Sequence, residues 1–131
     1  MSPTLLKLNQ IAQGLVAWSE GMAWFRESPS TEKESILRDL ANITIQSHPR
    51  AEEIEPAIQM AGLKHTFTPC VLVSKVHAPE RAVHKILMLP EAEWEKSFQL
   101  LIALLSVADA RRRATHCDQG CSHDWHQLRR P

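Results

Sequence analysis

The feature that most constrains this chain lies between Pro90 and Thr115. Trp94, Phe98, Leu101, Leu105 and Ala108 recur at spacings of three and four, so they share one face of an α-helix. Leu100, Ile102, Leu104 and Val107 place apolar side chains on nearly every other face. A helix that is apolar all round is a buried one, surrounded by other elements. Glu91 and Glu93 fall at the positive end of its dipole, and Arg111, Arg112 and Arg113 at its negative end, the favourable polarity for both. The segment predicts a central helix, and the rest of the chain must supply its cover.

That cover reads as a series of shorter helices. Thr4 to about Val16 carries Leu5, Leu8, Ile11, Ala12 and Leu15 at helical spacing, with Thr4 as its cap. Ser19-Glu20 opens a short helix with Met22, Trp24 and Phe25. A longer helix begins at Ser30 or Thr31 and presents Ile36, Leu37, Leu40, Ile43 and Ile45 before His48-Pro49 ends it. Glu52 to Ala61 is a weaker helix, interrupted by Pro56 and closed by Gly62. Proline suits the first helical position, where its missing N–H would be unpaired anyway, so Ser28-Pro29, Thr68-Pro69, Ala78-Pro79 and Leu89-Pro90 read as helix starts. Ser28 and Thr68 can also cap through their hydroxyls. Leu63 to Thr68 reads as extended, and Pro79 to Leu89 as a helix.

Residues 70–76 are ambiguous. Their valines suit a strand, but a lone strand cannot satisfy its backbone, which favours a short buried helix behind Thr68-Pro69. The expected fold is therefore an all-α, single-domain, multi-helix bundle over residues 1–131, built around a long C-terminal central helix and ending in a Cys/His-rich tail at 116–131.

Composition narrows the function. Fifteen basic residues balance fifteen acidic ones, so the chain as a whole has no field to recruit nucleic acid or an anionic membrane. From Asp109 onward, five arginines stand against Asp109, Asp118 and Asp124, a mildly basic asymmetry. The first residues contain no apolar stretch of signal-peptide length, and the longest apolar run, Leu100 to Leu105, is far short of the roughly 20 residues of a membrane span. The expectation is a cytoplasmic protein. Three cysteines cannot all pair with one another, and a reducing compartment favours thiols or metal ligands over a disulfide framework.

The densest chemistry is the tail from His116 to His126, where Cys117, Cys121, His123 and His126 give the pattern C-x3-C-x-H-x2-H. Thiolate and imidazole are the preferred ligands of zinc, which takes four in a tetrahedral structural site, and Gly120 permits a turn between the two cysteines. The usual zinc patterns separate their ligand pairs by a dozen or more residues, whereas here one residue separates Cys121 from His123. Three tail ligands completed by His77, His84 or Cys70 form an alternative set. The cysteines also read as small buried hydrophobes, as a local disulfide, or, with His123 or His126 as base, as a Cys121 nucleophile.

Arg111, Arg112 and Arg113 are candidate anion-binding residues, because guanidinium forks grip phosphate or carboxylate bidentately. Consecutive helical residues point about 100° apart, so all three cannot hold one ligand. The plainer reading is dipole complementation and a salt bridge to Asp109 on a solvated face. His65, His77 and His84 are isolated, and Glu52, Glu53 and Glu55 read as a charged face. No Walker A, G-x-G-x-x-G, H-E-x-x-H or G-x-S-x-G pattern occurs.

Several segments together resemble a family of small bacterial proteins known as a domain of unknown function. They are Gln13-Gly14-Leu15, Trp24-Phe25, His48-Pro49, Gly62-Leu63-Lys64, Thr66 to Leu72, Glu95 to Phe98, Leu100-Leu101, Ala108-Asp109 and the Arg111-to-His126 tail, with Asp124 where the pattern expects an aromatic residue. The resemblance implies a single-domain bacterial protein and transfers no activity, substrate or catalytic residue.

The leading expectation is a non-enzymatic binding or regulatory module with a zinc site at Cys117, Cys121, His123 and His126 and an anion-binding surface at Arg111 to Arg113. An enzyme using Cys121 and a tail histidine, and a nucleic-acid adaptor using the basic tail, are the alternatives. A protein partner and self-association are candidate interactions; no membrane association is expected.

Overall fold

The computed structural model describes residues 2–76 and 78–129, with side chains described as far as residue 114. Over these residues the chain forms α1 (Pro3–Ala12), α2 (Trp18–Glu27), α3 (Ser30–Gln46), α4 (Ile54–Ala61), α5 (Thr68–Lys75), α6 (Pro79–Ile86) and α7 (Trp94–Arg129). Short 3-10 turns at Ala51–Glu53 and Glu91–Glu93 lead into α4 and α7. Among the described residues there is no strand, so the architecture is all-α.

α7 is the axis. Ser97, Phe98, every residue from Leu100 to Leu105, and Ala108 are buried. Six consecutive buried positions cover the full turn of a helix, which requires neighbours on all sides. α1, α2, α3, α4 and α5 all pack on it, and α6 closes the bundle against α3 and α5. Each covering helix is apolar along one stripe: Leu8, Ile11 and Ala12 on α1; Met22 and Phe25 on α2; Ile36, Leu37, Leu40 and Ala41 on α3; Ala57 and Ile58 on α4; Cys70 and Val73 on α5; Ala82, Val83 and Ile86 on α6. Burying one such large side chain contributes about 1.5–3 kcal/mol. Phe25 stacks on Phe98 at 4.3 Å between ring centroids, and Trp24 meets Phe98 edge-on at 6.3 Å.

The ends of the helices are fixed by specific polar contacts. Trp94 Nε1 donates to the Leu89 carbonyl (3.2 Å), and Ser30 Oγ donates to Glu91 Oε2 (2.6 Å), which ties the start of α3 to the turn before α7. Arg26 grips Glu95 through two hydrogen bonds of 3.1 and 2.9 Å. The Lys96 ammonium sits 4.3 Å from the Phe67 ring centroid, against the loop before α5.

The structure departs from the sequence expectations at several boundaries. Ser2, not Thr4, caps α1: its hydroxyl accepts from the Leu5 amide, and Pro3 takes the first helical position. α1 stops at Ala12, and the amides of Leu15 and Val16 fold back onto the Gln10 carbonyl, leaving Leu15 72% exposed outside the stripe. Ser28 and Thr68 provide no side-chain cap, and Ser28 Oγ instead donates back to the Trp24 carbonyl. On α3 the fully buried position is Thr44 rather than Ile45. Its hydroxyl is satisfied by the Leu40 carbonyl at 2.7 Å. Pro56 does not interrupt α4, because it falls in the first turn, where no intrahelical N–H bond is lost. Gly62 does close that helix, in the left-handed region at φ 68°. Residues 70–76 resolve in favour of helix, within α5 and its C-terminal flank. α7 runs past the expected end at Thr115. No described helix is long and apolar enough to cross a membrane.

Candidate functional site

The arginines near the end of the buried part of α7 stand where three elements meet. α3 ends at Gln46 with Ser47 as its C-cap, the chain reverses through His48-Pro49, and the Ala51–Glu53 turn leads into α4. His48 holds φ at 52°, a region that side-chain-bearing residues rarely occupy. Such a turn persists only where its surroundings fix it.

Arg111 does the fixing. Its Nε donates to Glu53 Oε2 at 2.6 Å and its Nη2 to Glu53 Oε1 at 3.2 Å. The same Nη2 also donates to the His48 carbonyl at 3.1 Å and reaches the Ser47 carbonyl at 3.4 Å. One guanidinium thus closes the C-terminus of α3, where carbonyls lack helical partners and the dipole is negative. Glu53 is buried, and its Oε1 also accepts from the Arg50 amide at 2.9 Å. Burial alone would push the Glu53 carboxyl up, but the Arg111 hydrogen bonds, the Arg50 amide and the charges of both arginines outweigh it and hold the group below the usual carboxylate range.

Arg112 and Arg113 behave differently. Both turn to Asp109, with Arg112 Nη2 at 3.3 Å from Oδ1 and Arg113 Nε at 3.3 Å from Oδ2. Their side chains stay half-exposed or more, while Asp109 is largely covered. Among the described residues two guanidiniums share this one carboxylate, an excess of one positive charge. The salt bridge expected at Asp109 is therefore present, doubled, and Arg111 stands apart from it.

Beside Arg112 opens a groove of about 360 Å³. α1 contributes Leu5 and Asn9 to it, α3 contributes Ile43, Gln46 and Ser47, and α7 contributes Leu105 and Arg112. A second opening of about 290 Å³ lies between α1, α2 and α3, walled by Trp24, Ile36 and Glu32. The Lys7 ammonium stands 5.3 Å over the Trp24 ring.

The expected metal ligands Cys117, Cys121, His123 and His126 lie beyond the described side chains, as does the candidate nucleophile Cys121 among them, and His77 lies outside the described residues. Of the alternative ligands, His84 is exposed on α6 and Cys70 is fully buried in α5. Burial, with a smaller contribution from the Glu55 charge, pushes the Cys70 thiol up and keeps it protonated. Among the described residues, no three His, Cys, Asp or Glu side chains come close enough to hold a metal ion.

Two arrangements escaped the sequence reading. Glu53, read as part of a charged face, is the buried anchor for Arg111. It lies four residues before the buried Ala57, so it shares that helix's apolar face, and a carboxylate in such a place needs a cationic partner. His65, read as isolated, has Nε2 2.8 Å from both oxygens of Glu55, and Gln59 donates to the same carboxylate at 2.9 Å. The His65 hydrogen bond, with that of Gln59, holds the Glu55 carboxyl low. The pair is exposed and ten residues apart in sequence, so no helical spacing announces it.

A family model described as a family of unknown function (DUF5958) matches residues 3–128. No curated protein and no solved structure matches the chain.

Proposed function

The chain belongs to DUF5958, a family of unknown function, and from that premise we propose that it is a non-enzymatic binding module, regulatory in role, whose working surface lies around Asp109 to Arg113 of α7. The observation that carries this reading is the division of labour among three consecutive arginines. Arg111 is committed to Glu53 and the end of α3, which ties this part of α7 to its neighbours. Among the described residues Arg112 and Arg113 share Asp109, an excess of one positive charge, and Arg112 stands at the rim of an open groove. A packed scaffold with a guanidinium in excess beside a concave, partly apolar surface is suited to holding an anionic ligand.

The second half of the proposal concerns the segment that follows. Cys117, Cys121, His123 and His126 supply two thiolates and two imidazoles within ten residues, the donor set zinc prefers. A reducing cytoplasm would keep the thiols free to bind it. Zinc there would serve structure, by cross-linking side chains within the segment next to the arginines.

Metal content of the untagged protein, purified without chelator, tests this half by mass spectrometry. The expected result is one zinc per chain, lost in a Cys117→Ser/Cys121→Ser variant. A folded native protein without metal would remove the zinc site from the proposal.

A further inference from the structure

We propose that the groove between α1, α3 and α7 binds the free C-terminus of a protein partner ending in an apolar residue, with Arg112 pairing to the terminal carboxylate. This rests on the reading of the chain as a binding module and is independent of the zinc site.

Three properties of the groove select that occupant. The first is its size and floor. Leu105 is 3% exposed, and Leu5 and Ile43 pack half-buried on the core, so the walls are fixed by the bundle itself. At about 360 Å³ the opening falls at the small end of ligand-binding cavities, which span about 300–1,000 Å³, and suits a short segment of chain.

The second is the pair of amides on its walls, Asn9 and Gln46. An amide side chain presents a donor and an acceptor, matching the N–H and C=O of a peptide group. Asn9 commits one N–H to the Leu5 carbonyl at 3.0 Å, which fixes the orientation of its amide. A plain aliphatic acid would lay methylenes against both amides and leave their hydrogen-bonding capacity unmatched, at a cost. A peptide satisfies the amides with its backbone and the leucine and isoleucine walls with its last side chain.

The third is charge. Among the described residues no carboxylate lines the groove, and Arg112 is the one ionised side chain there. That guanidinium holds Asp109 through a single long contact of 3.3 Å and shares it with Arg113. The carbonyls at the end of α3, which would repel an anion, are already covered by Arg111. Guanidinium and carboxylate pair bidentately, and a terminal carboxylate distinguishes a chain end from any internal segment.

The test is binding of an Ala-Ala-Leu peptide labelled on its N-terminal amine by fluorescence anisotropy, with the same peptide as its C-terminal amide and with octanoate as competitor. The free acid is expected to bind, and the amide to bind about tenfold more weakly or worse, the loss of a charge-assisted pair. Arg112→Gln should produce the same loss for the free acid, while Arg38→Gln, at an exposed arginine of α3 outside the groove, leaves affinity within about threefold. Equal binding of acid and amide would overturn the proposal. So would octanoate competing as well as the peptide, which would make the ligand a fatty acid. Absence of binding up to about 1 mM peptide would also overturn it. Metal content is measured on the same preparation: zinc without peptide binding removes this inference alone, and peptide binding without zinc removes only the metal site.

Discussion

Arg111 and Glu53, 58 residues apart in sequence, meet with Nε 2.6 Å from Oε2 and Nη2 3.2 Å from Oε1, and this pair joins α7 to the start of α4 while the same guanidinium closes α3. Both side chains are mostly covered. Removing one partner leaves a charge without compensation in a place that water reaches poorly, which is costlier than never having had the pair. Arg111→Met is expected to destabilise the protein by about 3 kcal/mol. The double replacement Arg111→Met/Glu53→Met should recover a large part of that. Urea titrations of the three variants, compared as a double-mutant cycle, give the answer, and additive losses would mean that the pair is not coupled.

The same pair sets an acid limit. The folded carboxyl of Glu53 lies below its ordinary value of 4.5, through its bonds to Arg111 and the Arg50 amide against the opposing effect of burial. Glu95 is also lowered, first by its hydrogen bonds to Arg26. A group whose folded pKa is depressed stabilises fully above its unfolded pKa and loses that contribution as pH falls through the folded value. Stability should therefore be flat on this account near neutrality and decline below about pH 4.5. Glu53→Gln should lower the plateau and flatten the acid limb; an acid limb unchanged in slope would assign the decline to other carboxylates.

Gly21 brings α2 close against Ile11 of α1. A Cβ at this position would lie 2.8 Å from Ile11 Cδ1 and 3.0 Å from its Cγ1, and Ile11 is itself buried. Gly21→Ala gains about 1 kcal/mol of helix propensity yet is expected to destabilise by roughly 1–2 kcal/mol net, because overpacking a filled core costs more. Trimming the obstacle, in Gly21→Ala/Ile11→Val, should restore part of the loss. Thermal unfolding of the two variants decides it: a stabilised single variant would show that Ile11 yields freely.

Phe98 joins α7 to α2 through its stack on Phe25 and its edge contact with Trp24, and it is fully buried. Phe98→Ala is expected to cost about 3–5 kcal/mol, and Phe98→Leu much less, since most of the volume is kept. Near-equal effects of the two in denaturant titrations would mean that the cavity collapses around either residue.

The sequence made the architecture legible through one helix. A segment apolar on every face leaves no choice but to surround it, and the covering stripes of α1 and α3, Leu8 to Ala12 and Ile36 to Leu40, were readable from spacing, whereas those of α4, α5 and α6 are too short to show one. Boundaries were less so. Whether Ser2 or Thr4 caps α1, and whether Leu15 joins its stripe, depends on where the backbone turns, and helical period is silent about that. Thr44 was hidden for a related reason: a threonine reads as polar, yet its hydroxyl bonds its own helix and its methyl can be buried. At the candidate site, Arg112, Arg113 and Asp109 were legible because they lie within one helical turn. Glu53 and the His48 carbonyl were not, because a tertiary contact across nearly half the chain joins them to Arg111. The Leu5–Ile43–Leu105 groove was equally hidden, since each of those residues reads as core.

α7 is the axis of the bundle and also follows, in chain order, all the helices that cover it, which has a consequence for how the protein comes into being. During synthesis the apolar stripes of α1, α2, α3, α4 and α5 are made before the helix they will face. At translation rates of about 5–20 residues per second, the nascent chain waits roughly 5–20 s before residues 98–108 exist to receive them. Folding is therefore gated by the arrival of a single segment: until then the emerging chain has sticky faces without a centre, and chaperones that shield apolar surface would find their substrate in this interval.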